Sequence, residues 1–252
     1  MAAACIVSPS HGKLEQALKL TDLGAVGKLY NTLVDDYDQP PVQGNIIAQL
    51  ASIFVRNNAH KVFGIHLIHG HFQVPDENVL LGSTFNNPSI RWAKTVAIDS
   101  VDTSTVHGHV FVVAENGLLP YELEDGALPD LSSVHEGFLS EFISYIIKHK
   151  LQSLLGLQVL GCGESPMIEL ILDQGTVMLE SSQSHGVQST RITGWRFESV
   201  DGRPRVCAAN ETHSKMTSGS HKVFNAGKPL PKLENVEDLK NALLDVGVLK
   251  TG

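Results

Sequence analysis

From Lys61 onward the chain is a succession of short apolar runs, VFGIHLIHGHF, ENVLLGSTF, RWAKTVAID and HGHVFVVAE, parted by Pro, Asn, Asp and Gly. Short runs bounded in this way read as strands. The pattern resumes further on with LQVLG, MIELILD and TVMLES. Asp173-Gln174-Gly175 predicts a tight hairpin between the last two. Asp201-Gly202 predicts another between RITGWRFESV and RPRVCAAN, because an Asp-Gly pair suits the positive-φ turn that joins twisted strands. Strands do not alternate with helices at βαβ spacing and no segment repeats, which excludes doubly wound and solenoid folds.

Helical periodicity brackets the strands. Leu14, Leu18, Ala25, Val26, Leu29 and Leu33 form a stripe over 14–35, interrupted at Gly24 and Gly27. After the break at Tyr37-Asp38-Gln39-Pro40-Pro41, a second helix carries Ile46, Ile47, Leu50, Ile53 and Phe54. A long helix is predicted from about Ser132 to Leu155, with Phe138, Leu139, Phe142, Ile143, Ile146 and Ile147 as its buried face and Ser132-Ser133 as its cap. A polar segment over 214–235 leads to a short amphipathic helix holding Val236, Leu239, Leu243 and Leu244. The expected fold class is α+β: a mainly antiparallel β-sheet with an N-terminal helical pair (14–58) and one long packed helix, forming a single domain over 1–252.

Composition narrows the partners. The formal charge of −8 and the lack of a Lys/Arg-dense stripe argue against nucleic acid and against an anionic membrane. No apolar run is long enough to span a bilayer. MAAACIVSPSHGK does not read as a signal peptide. Cys5, Cys162 and Cys207 are odd in number and far apart, as in a reducing compartment. The expectation is a cytoplasmic protein with a small-molecule substrate, compatible with a homo-oligomer.

Chemistry concentrates in histidine. Five of twelve histidines fall in two clusters, His66, His69 and His71 in GIHLIHGHF and His107 and His109 in VHGHVF. Imidazole is a common metal ligand and titrates near neutrality. Strand alternation would put His69 with His71 on one face and His107 with His109 on one face, while His66 needs a β-bulge near Gly70 to join them. Two such pairs on neighbouring strands would converge on a metal or acid–base centre, with zinc the natural occupant. Structural histidines hydrogen-bonded to carbonyls remain the alternative. Cys162, between Gly161 and Gly163, is a candidate thiolate ligand or a packed turn cysteine. Glu122 and Glu124 in PYELED share a strand face, and Glu122 is the candidate general base or partner of an imidazole. His213 and His221 flank the polar segment and could close over a site or simply be solvated.

FGIHLIHGHF followed by PYELE resembles a group of fungal proteins in which a Leu-x-His-x-His-Phe strand precedes a Pro-Tyr-Glu segment. His69, His71, Phe72, Pro120, Tyr121 and Glu122 carry the resemblance to that group, and in size and histidine content the chain is similar to cyclopenase-like zinc proteins of quinolone alkaloid biosynthesis. His66 and Gly70 depart from that pattern, where a basic residue tends to sit between the histidines, which implies a specialised member with an added ligand at His66. The resemblance implies a zinc-dependent lyase or cyclase of secondary metabolism. Its reaction would be ring contraction of a benzodiazepinedione epoxide to a quinolone with loss of methyl isocyanate. On that reading His69, His71, His107, His109 and Cys162 hold the metal, and Glu122 and His66 move protons. Two other functions fit the residues: a metal-assisted hydrolase, and a non-catalytic small-molecule or metal-binding protein.

Overall fold

The computed structural model describes residues 14, 18–86, 88–114, 117–161, 166–207, 210–224 and 231–250. Helix α1 (Leu20–Tyr30), a 3-10 turn at Asp36–Asp38 and helix α2 (Gly44–Arg56) come first. The strands are β1 (Phe63–Leu67), β2 (Asn78–Phe85), β3 (Ile90–Ala97), β4 (Val106–Ala114), β5 (Gly117–Asp125), β6 (Leu155–Val159), β7 (Met167–Ile171), β8 (Gly175–Glu180) and β9 (Val187–Trp195). They continue as β10 (Phe197–Val200), β11 (Arg203–Val206) and β12 (Glu211–Met216). Helix α3 (Phe138–Lys148) lies between β5 and β6, and α4 (Val236–Asp245) follows β12.

The expected open α+β sheet is corrected here: ten strands close into a barrel in the order β1-β6-β4-β5-β2-β3-β8-β7-β12-β9. β9 pairs with β1 through Ile65–Trp195 and His66–Gly194, which seals the ring. Two of the ladders, β2 with β5 and β7 with β12, are parallel. Closure follows from the side-chain pattern. Strands β1, β4 and β6 are buried along nearly their whole length, so both of their faces need covering. In β1 and β6 one face is Phe63, Ile65, Leu67, Leu155, Leu157 and Val159, packed with α2 and α3 in a single core. The other face is Gly64, His66, Gly156 and Gln158, which only a shared polar interior can bury.

Contacts that skip strands locate this interior. Arg91 on β3 reaches Glu122 and Glu124 on β5, past β2. Gln158 on β6 donates to Glu211 on β12 at 2.8 Å, past β1 and β9. Outside the barrel, α4 covers β3, β7 and β8 through Leu239 and Leu243, and α1 covers β2 and β5 through Leu23 and Val26.

Three local readings also change. The third helix is shorter than 132–155: Gly137 caps it, and Lys150 at φ 55° ends it. Strand β1 stops at Leu67 instead of continuing through Phe72. The amide of Ile68 still bonds to Leu154 O, in register with β6, but that of Gly70 bonds to Val34 O, which draws the chain off the ladder. Asp201-Gly202 does form the turn of a hairpin, with φ of 51° and 73°, but that hairpin is β10–β11 and lies beside the barrel.

The interior leaves no room for a side chain at Gly82, where a Cβ would fall 2.3 Å from Glu124 Oε2 and 2.5 Å from Arg91 Nη2. We expect Gly82→Ala to destabilise the protein by about 1–3 kcal/mol in urea unfolding through overpacking. Gly24→Ala, on α1 where a Cβ meets nothing within 4 Å, should be neutral or slightly stabilising. Equal unfolding midpoints for the two variants would contradict a filled, ion-paired interior.

Candidate metal and acid–base centre

Because β1 ends at Leu67, His69 and His71 lie in the segment that crosses one end of the barrel, and strand parity does not govern them. His66, inside β1, stacks on His69 with ring centroids 5.1 Å apart, and His69 lies 4.7 Å from His71. The three rings therefore join without a bulge. Across from them stands Glu169 of β7. His213 of β12 is its register partner and so faces the same way.

The atoms at this centre have definite partners. His69 Nδ1 lies 2.7 Å from Leu67 O and donates to it, since a carbonyl can only accept. That leaves the Nε2 of a neutral ring as a bare lone pair, 3.4 Å from Glu169 Oε2. His71 Nε2 lies 3.7 Å from the same oxygen, and its Nδ1 lies 3.6 Å from Asp35. Neither nitrogen of His71 has a hydrogen bond. His69, His71 and Glu169 form one group of potential ligands within 4.8 Å of one another, and Asp36, His71 and His213 form another. These buried groups could hold a metal ion.

Geometry separates the two groups. Four tetrahedral ligands at zinc distances of about 2.0–2.1 Å lie about 3.3 Å apart. The 3.4 and 3.7 Å spacings around Glu169 fit that edge. Each of its histidines also has an oxygen on the far side of the ring, Leu67 O or Asp35, as metal-bound histidines ordinarily do. His213 Nδ1 and Asp36 Oδ1 are closer, 2.7 Å, as in a charge-assisted pair, although the approach lacks hydrogen-bond angles. Asp36 reaches this position because the strap over 35–40 is held by Arg191, which donates to Asp36 O, to Gln39 O at 2.8 Å and to Pro40 O at 2.6 Å.

Electrostatics follow from burial. Desolvation opposes a charged His71, but Asp35 and Glu169 outweigh it and lift its pKa to about 10. Burial raises Glu169, yet the adjacent His69 and His71 imidazoles outweigh it and hold the carboxyl well below the usual carboxylate range. His66 is pushed down to about 3, by burial first and by His69 next. A neutral His66 can accept from the Tyr121 hydroxyl, 3.1 Å from Nδ1, and donate to Glu211, 3.4 Å from Nε2. Burial lifts Glu211 to about 7 against the opposing bond from Gln158.

The remaining candidates sit elsewhere. His107 pairs in register with Glu124 and faces Gly108 O at 3.0 Å through Nδ1. His109 is the extra residue of a register shift in β4, 3.4 Å from Gln158, and burial with Arg91 drives its pKa well down. Among the described residues, neither belongs to a group spaced to hold a metal. Glu122 lies 3.2 Å from Arg91, and burial raises it although the guanidinium opposes. Cys162 and Cys5 lie outside the described residues. Cys207 follows β11, where burial and Glu198 raise its thiol. His221 stacks on His213 at 4.7 Å.

Asp36, Arg91, Glu169 and Glu211 were not among the sequence candidates, and His213 was weighed there only as a residue that might close over a site. The signal for Glu169 and Arg91 is a charge at an alternating position of an apolar strand, M-I-E-L-I and I-R-W-A. Asp36 gives none, because only the tertiary strap brings it in. The chain matches no protein-family model, no curated protein and no solved structure.

Metal-free protein should lose stability in acid partly through His66. The unfolded chain takes up a proton near pH 6.5 that the native ring refuses until about pH 3, so stability falls as pH drops through that window. The slope is on the order of 1 kcal/mol per pH unit. Urea midpoints of His66→Gln should therefore decline less between pH 6.5 and 4.5 than those of the parent. Parallel slopes would show that His66 is not held neutral.

Proposed function

We propose that the protein is a zinc-dependent lyase acting on a small, largely apolar metabolite, with His69, His71 and Glu169 as the zinc ligands. The observation that carries this reading is the orientation of His69 and His71. Both aim Nε2 at the same Glu169 oxygen while an oxygen stands behind Nδ1. A cation between them would relieve the lone pairs that His69 Nε2 and Glu169 turn toward each other and would bind His71 Nε2, which has no hydrogen bond. Two histidines and one carboxylate leave a tetrahedral position open, which is the catalytic form of such a site.

Bound there, zinc would supply Lewis acidity to a substrate oxygen. The chain's own residues would do the proton work. His213, whose Nδ1 lies 2.7 Å from Asp36 Oδ1, would take or return a proton at the substrate. His66, held neutral between Tyr121 and Glu211, provides a second path for a proton between the centre and the barrel interior. Glu122 stays paired with Arg91 and keeps that guanidinium oriented. This assignment moves the general base from Glu122 to His213.

The resemblance read from GIHLIHGHF and PYELE supports a specific reaction: ring contraction of a benzodiazepinedione epoxide to a quinolone with release of methyl isocyanate. That rearrangement is redox-neutral, so a Lewis acid with a proton shuttle suffices. A cytoplasmic location goes with it; no helix among the described residues is long and apolar enough to cross a membrane.

Metal analysis tests the ligand assignment. Purified protein should hold about one zinc, as expected for one three-ligand site. His69→Ala, His71→Ala and Glu169→Ala should each lose most of it. Asp36→Asn and His213→Gln should keep the metal and lose turnover, by about 100-fold or more for a missing general base. Loss of zinc in Asp36→Asn with retention in Glu169→Ala would move the site to the other triad. Incubation with cyclopenin yielding no chelator-sensitive quinolone would remove the ring-contraction reading.

A further inference from the structure

The strap that carries Asp36 has a second face. Behind it lies a cleft of about 510 Å³, walled by Gln39 and Pro41 of the strap, Gly44 and Ile47 of α2, and Arg191 and Trp195 of β9. Its volume falls within the range of ordinary small-molecule sites, about 300–1,000 Å³. We infer that this cleft is the vestibule in which the metabolite docks before it meets the centre. Its occupant is a ring-bearing molecule with an oxygen acceptor, carbonyl or carboxylate.

The lining chooses that chemistry. Ile192 and Val206 offer exposed apolar surface for a ring beside the buried Ile47 and Trp195, and among the described residues the cleft is lined by a cation but no carboxylate. Arg191 has five N–H donors. Three are spent on the carbonyls of Asp36, Gln39 and Pro40. The other two face no acceptor among the described residues, so an oxygen on the ligand would complete the guanidinium.

The same arginine ties the cleft to the centre. Arg191 pairs in register with His213, and it grips the carbonyl of Asp36, whose carboxylate touches His213. A ligand oxygen bound by the two remaining N–H groups of Arg191 would be held by the same side chain that grips the strap beside His213. The role of the cleft as an antechamber rests on the metal-centre reading; its capacity to bind does not.

Calorimetry with 2-naphthoate as probe separates these claims when run on zinc-loaded and on chelator-stripped protein. Gly44 provides the blocking variant, since it lines the cleft and a Cβ there meets nothing within 4 Å. Gly24→Leu, equally open but on α1, is the control. The expected result is saturable binding in both preparations, weakened at least tenfold by Gly44→Leu and unchanged by Gly24→Leu. The cation 2-naphthylmethylammonium should bind at least tenfold more weakly than naphthoate. Unchanged naphthoate affinity in Gly44→Leu, no binding at millimolar probe, or equal affinity for the cation would each overturn the assignment. Because stripped protein is measured too, failure of the zinc reading leaves this result intact, and failure here leaves the zinc stoichiometry intact.

Discussion

The structure depends on a barrel closed around charge. Glu122, Glu124, Glu169 and Glu211 are buried inside it, and Asp36 is added at one end, while Arg91 is the permanent cation that faces them among the described residues. Burying an ion is unfavourable unless partners surround it. Each strand is therefore constrained twice, by an apolar outer face that the helices must cover and by an inner face whose groups must find one another. Gly82, Gly156 and Gly194 show the second constraint. A Cβ at any of them would strike an interior side chain or a facing carbonyl within 2.7 Å.

Replacing buried ion pairs by well-packed apolar residues is often neutral or stabilising, by about 1–4 kcal/mol. A barrel selected for stability alone would fill with aliphatic side chains. This one does so in part, where Leu80, Ala93, Val110 and Val112 pack with Tyr121 and Tyr30. The polar remainder is where local rules of stability are broken, and such places are the ones to search for chemistry.

Much of the strand content was legible in the sequence because a two-residue period survives in it: F-G-I-H-L and L-G-L-Q-V each alternate an apolar residue with glycine or a polar one. Closure was not legible, because the same alternation serves an open sheet with one wet face. The register shifts at His109 and Tyr121 were equally hidden, although Glu122 and Glu124 do share a face as alternation predicts, both reaching Arg91. The histidines drew attention for sound chemical reasons, yet alternation separated His66 from His69 and His71. The chain leaves the sheet after Leu67, and with it the rule that alternation expresses. Asp36 lies beyond any local signal, since its partner His213 is far along the chain and meets it through Arg191.

Charge balance connects these observations. The carboxylates of Asp35 and Glu169 lift His71 to about 10, and burial lifts Glu211 to about 7, so the centre holds protons against its charge. A dication between His69, His71 and Glu169 would replace the proton on His71, because a ligating imidazole must be neutral. Asp35 would then no longer neutralise an imidazolium but orient a ligand, the same contact serving a second purpose. In this arrangement the metal and the protons are alternative answers to one electrostatic demand. The strap that brings Asp35 and Asp36 to the mouth of the barrel sets how strong that demand is.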